Sequence, residues 1–190
     1  KVGSSGLCWG GYWDAPQPVT AILVPNNIHL IRTGSGKQVC AVHGEQRTVT
    51  CWIMEAQGQT PDERRTVAGL VNVVDLGLGW GGNPHPPPSP PDFDQHHVCA
   101  LRQDGVVSCW GNNVDGQLGG GVEYYYREPR VVEALEGHRV VRLEVSGSTN
   151  CAHTEMGAVW CWGANRFGQI RDGTRIKRPT PVRPTPIELR

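Results

Sequence analysis

The chain has 190 residues, enough for one sizeable core or a string of small repeated ones. Its 25 glycines and 15 prolines leave little room for long helices. A formal net charge of zero gives the whole chain no counterion-releasing surface for a nucleic-acid backbone, and no run approaches the ~20 apolar residues of a membrane span.

Lys1 opens no charged start and apolar middle of a signal peptide, so the chain reads as a mature product or a window on a longer one. In chain order the first motif is Cys8-Trp9-Gly10, whose downstream Gly-Gln positions hold Ala15 and Pro16. The motif recurs, worn but in phase, as Cys40-Ala41, Cys51-Trp52 and Gly58-Gln59. It is sharpest at Cys99-Ala100-Leu101, Gly105-Val106 and Cys109-Trp110-Gly111, and again at Cys151-Ala152-His153, Gly157-Ala158 and Cys161-Trp162-Gly163. Asn113 with Gly116-Gln117 and Asn165 with Gly168-Gln169 extend the match in the same register. Several rare residue types keeping their spacing together define a repeat of about 50 residues. The copies divide one domain, 1–190, into a partial copy over 1–27 and further copies over 28–74, 75–140 and 141–190.

Each copy reads as strands and turns. Val98 to Arg102 and Val106 to Trp110 flank Gln103-Asp104-Gly105, which suits a three-residue hairpin loop with glycine in the left-handed position. Glu155-Met156-Gly157 is the same device, and Gly44 to Arg47 makes a four-residue version. Counting outward from these loops sets Cys40 opposite Cys51, Cys99 opposite Cys109 and Cys151 opposite Cys161, within disulfide reach. Buried thiols and zinc ligands compete with this reading. Zinc pairs normally come as C-x₂₋₄-C, which is absent here. Three cross-strand disulfides are therefore expected, and with them an extracytoplasmic setting, whether periplasmic, secreted or lumenal. Cys8 has no opposing cysteine and is expected to be a free thiol or bonded outside these residues.

A Pro-rich insertion, Trp80 to Asp94, interrupts the third copy where the others need only a short turn. Its prolines favour an extended conformation that costs little entropy to order, and insertions of this kind lie on one face of a repeat array. Trp80, His85, Pro87, Pro88 and Phe93 are the candidate partner contacts there, joined by Tyr124, Tyr125 and Tyr126. A strand would bury alternate tyrosines, so packing competes with display for this triplet. His85, Asp92, Asp94, His96 and His97 have irregular spacing that matches no closed metal site, so no metal or cofactor is expected. Ser108 sits mid-strand rather than on a nucleophile turn, and no hydrolase, zincin or phosphate-loop spacing occurs, which argues against an enzyme. Trp9, Trp52, Trp110 and Trp162 share one repeat phase and read as packing residues. The basic tail, Arg166, Arg171, Arg175, Lys177, Arg178, Arg183 and Arg190 against Asp172 and Glu188, reads as a solvated outer strand and turn ahead of an anion site.

The run from Cys99 to Gly119 resembles the regulator-of-chromosome-condensation repeat, and more narrowly its cysteine-bearing bacterial, alpha-tubulin-suppressor-like version. The resemblance implies an all-β propeller of which three and a half to four blades are present, part of a larger or complemented ring with its edges covered by further chain or by another subunit. The family's best-known member is a chromatin-bound nucleotide exchange factor. Paired cysteines and zero net charge give no ground for carrying that activity over. The expected function is non-enzymatic protein–protein interaction, as an accessory or structural subunit of an extracytoplasmic assembly. The alternatives are a stand-alone propeller-type binder or inhibitor, and an enzyme or metal-binding protein.

Overall fold

A computed structural model describes residues 6–7, 21–22, 27–34, 38–53, 65–80, 96–121 and 125–185. The short strands β1 (Gly6–Leu7) and β2 (Ala21–Ile22) pair antiparallel. Three four-stranded antiparallel sheets follow, each a meander in chain order. The first holds β3 (Ile28–Thr33), β4 (Gln38–His43), β5 (Thr48–Ile53) and β6 (Arg65–Thr66). The second holds β7 (Val73–Trp80), β8 (His96–Arg102), β9 (Val107–Asn112) and β10 (Tyr125–Val131). The third holds β11 (Val140–Ser146), β12 (Thr149–Thr154), β13 (Val159–Gly163) and β14 (Arg178–Val182). One 3-10 turn, Glu133–Leu135, is the only helical segment among the described residues.

The turns explain the meander. In the β8–β9 hairpin Arg102 N donates to Val106 O at 3.0 Å, and Gly105 takes φ +87°, a left-handed angle that a side chain would resist. That loop fixes the register, which pairs Cys99 with Cys109; the other hairpins pair Cys40 with Cys51 and Cys151 with Cys161. All three pairs are disulfide-bonded, with Cα atoms 4.1 Å apart.

The sheets pack face to face, and the cores lie between them. Val42 and Val49 of the first sheet meet Val73, Leu76, Val98 and Trp110 of the second. Leu101, Val107 and Leu118 of the second meet Leu143, Ala152 and Trp162 of the third. The disulfides follow the same polarity. Cys40–Cys51 joins the first of these cores and Cys99–Cys109 the next, while Trp110 and Trp162 face back toward the preceding sheet. The second sheet thus sends its tryptophan backward and its disulfide forward.

Burial tracks this stacking. In the middle sheet every β9 residue is buried, as a strand covered on both faces requires. In the third sheet β12 alternates between intermediate and buried, the period-2 pattern of a strand covered on one face. The first strands β3, β7 and β11 lie side by side. Gly79 makes room for this approach: a Cβ there would strike the His97 ring and the carbonyl of Gly147.

Candidate functional site

Meander topology places the β7–β8, β9–β10, β11–β12 and β13–β14 connections at one end of the sheets and the tight hairpins at the other. The first end is the candidate binding face, because its connections vary in length. Gly147 and Ser148 alone join β11 to β12, whereas residues 81–95 join β7 to β8.

Trp80 ends β7 on this face and is 41% exposed. Its backbone N donates to Gly147 O at 3.1 Å, tying the second sheet to the third. His85, Pro87, Pro88 and Phe93 lie outside the described residues, as do Tyr124 and Cys8. Tyr125 opens β10 half-buried, opposite Asn112. Tyr126, at 8% exposure, packs in the core between the second and third sheets, with the Arg130 guanidinium 4.3 Å from its ring centroid. Of the two described tyrosines, Tyr126 serves the core and Tyr125 is only half-buried. Ser108 is buried within β9, and His97 is fully buried at a sheet junction. No group of three or more His, Cys, Asp or Glu residues is placed to hold a metal among the described residues.

Two features escaped the sequence reading. The first is a polar latch between the second and third sheets. Gln117 O accepts from Trp162 Nε1 at 2.9 Å and from Asn150 Nδ2 at 2.6 Å, while Asn150 Oδ1 lies 2.9 Å from His97 Nε2. Its signal was present, since Gly116-Gln117 and the Trp110 and Trp162 positions recur in step. The contact they make between neighbouring copies was not visible along one copy.

The second is a groove of about 550 Å³ on the candidate binding face, walled by Trp80 and Asp115 of the second sheet and by the 146–149 and 164–177 loops of the third. The 164–177 loop is built from within. Asn165 Oδ1 accepts from Ile170 N at 2.9 Å, and Gln169 Oε1 accepts from Phe167 N at 3.0 Å. Asp172, almost buried, accepts from Asn165, Thr174 and Arg178, and these donors hold its carboxyl below the usual range against the opposing effect of burial. Hydrogen-bonded loops of this kind present side chains from fixed positions, as a binding site needs. The described lining offers cations and exposed aromatic surface, the kinds of group that hold a ligand by charge and apolar contact.

Four-stranded antiparallel meanders stacked face to face, with their first strands adjacent, define consecutive blades of a β-propeller. The model of the regulator of chromosome condensation (RCC1) repeat matches residues 104–152, from the β8–β9 turn into β12. The chain is an RCC1-type repeat propeller domain. It is 31% identical to mouse RCC1 domain-containing protein 1, over 72% of the chain and 40% of that relative. The human E3 ubiquitin-protein ligase HERC2 is 40% identical over 44% of the chain and 2% of its own length. The ultraviolet-B receptor UVR8 of Arabidopsis thaliana is 35% identical over 47% of the chain and 20% of its length. Human WBSCR16 superposes with a TM-score of 0.70 at 16% identity, covering 92% of the chain and 45% of that structure. Prp20p of Saccharomyces cerevisiae superposes at 0.65 with 13% identity, covering 88% and 40%. The chain thus spans less than half the length of each of these proteins.

Proposed function

We propose that the chain is a non-enzymatic protein-interaction module that works as an accessory or structural subunit of an extracytoplasmic assembly. The observation that carries this reading is the asymmetry of the two ends. One end has tight hairpins, and the other has Trp80, the groove and the attachment points of residues 81–95. Binding residues concentrate on loops held by a rigid scaffold. Trp80, His85, Pro87, Pro88 and Phe93 are the proposed contacts, together with Tyr124 and Tyr125. The repeat copies over 28–74, 75–140 and 141–190 supply the scaffold, and further chain or another subunit covers its edges. The yeast structures support the interaction class by analogy: one shows RCC1 (Prp20) bound to Kap60, and the other describes binding of Prp20p to Gsp1p and histones. Three disulfides support an oxidising compartment.

The test replaces residues 80–94 with a short Gly-Ser link and measures retention of co-purifying proteins by native mass spectrometry. Loss of the complex with an unchanged melting transition is expected. Full retention would remove this segment from the binding face.

A further inference from the structure

The groove carries a charge pattern that its own fold does not require. We infer that it binds an acidic peptide segment of a partner, in which an apolar side chain lies between carboxylates. This inference rests on the interaction-module reading and adds the chemistry of the ligand.

Arg166, Arg175 and Lys177 line the groove, with Asp115 as the one carboxylate-bearing residue of its lining among the described residues. None of the three cations forms an ion pair among the described residues. Two are nevertheless held in place. Lys177 Nζ donates to Val114 O at 2.8 Å, and the Arg166 guanidinium sits 4.7 Å from the Phe167 ring centroid. Their charges therefore stay unneutralised in fixed positions, the arrangement that recognises carboxylates with little ordering cost. Phe167, 75% exposed, and Trp80 supply apolar surface at the same groove.

The equivalent loop of the second sheet shows that the cations are not needed for folding. It closes with the same bonds, Asn113 Oδ1 accepting from Leu118 N at 2.8 Å and Gln117 Oε1 from Asp115 N at 2.8 Å. Yet at the sequence positions that correspond to Arg166, Phe167 and Arg175 the preceding repeat copy has Val114, Asp115 and Glu123. One turn design thus carries opposite charge in neighbouring blades, and the basic rim belongs to this groove rather than to the repeat.

Fluorescence anisotropy with a labelled peptide alternating glutamate and leucine tests this on the purified chain. A lysine–leucine peptide and a single-stranded oligonucleotide serve as competing probes. The glutamate peptide alone is expected to bind, and to weaken as salt rises. Arg166→Val combined with Arg175→Glu installs the residues of the second sheet and should weaken binding about tenfold, without moving the melting transition. If that variant melts early, Arg175→Gln alone should still weaken binding about threefold. Unchanged affinity in the folded variants, or no binding of the glutamate peptide, overturns the inference. So does equal binding of the oligonucleotide, which would make the groove a phosphate site. A chain that retains its partners without binding the glutamate peptide would lose this inference alone and keep the interaction-module reading.

Discussion

His97 Nε2 lies 2.9 Å from Asn150 Oδ1 across the junction of the second and third blades. Asn150 Nδ2 already donates to Gln117 O, so the oxygen faces the ring and His97 must be the donor. Its Nδ1 is buried, with no hydrogen-bond partner among the described residues. Protonation would thus place a charge on an unsolvated nitrogen. Burial, with a smaller push from His96 and an opposing effect of the Asn150 bond, lowers the imidazole to about 4.

A depressed histidine pKa means that the unfolded chain takes the proton first. The stabilisation is complete above pH 6.5, declines as pH falls toward 4, and amounts to about 3 kcal/mol in all. His43, lowered by burial and by His29, adds to the same window. Asp172 stabilises the fold throughout this window and loses that contribution only below the ordinary carboxylate range. Urea midpoints measured against pH should therefore fall through this window. His97→Gln places there the residue that the first blade carries as Gln38, and should flatten most of the slope. An unchanged slope would show that His97 is not its source.

The tryptophans of the first and third blades should respond differently to Trp→Phe. Trp162 donates to Gln117 O, whereas the buried Trp52 Nε1 has no acceptor among the described residues. Trp162→Phe leaves that carbonyl one donor short and should cost about 1–2 kcal/mol more than Trp52→Phe, which removes an unsatisfied donor. Equal losses by chemical denaturation would contradict the latch.

The three disulfides should reduce in order. Cys40 and Cys99 are fully buried between blades, while Cys151 is only partly covered. Timed reduction with mass mapping should open Cys151–Cys161 first. Removing Cys99 and Cys109 together should cost about 2.8 kcal/mol if closure of an eleven-residue loop sets the scale. Simultaneous opening of all three would indicate reduction through global unfolding.

Much of each blade could be read along the chain. Gln103-Asp104-Gly105 announces its hairpin, and the cysteines on either side check the register, because turn type and strand period are local properties. The relation between blades is different. Asn150 resembles nothing in the corresponding place of the second blade, which holds Val98, so its bonds to Gln117 and His97 could not be inferred from the repeat. The groove was hidden for a similar reason. Trp80 and Arg175 are distant in sequence and line one groove only because successive blades align their loop ends. The cations of the basic tail also divide by position, since Arg178 is spent on Asp172 while Arg166 and Arg175 remain at the rim.

The central claim is that the loop end, not the hairpin end, is the surface that partners contact. Hydrogen-exchange footprinting of the chain with and without its co-purifying partner tests it most directly. The account predicts slowed exchange at Trp80, in 146–149 and in 164–177, with the hairpin tips 103–105 and 155–157 unchanged. Protection confined to those hairpin tips, with the loop end exchanging as in the free chain, would contradict it.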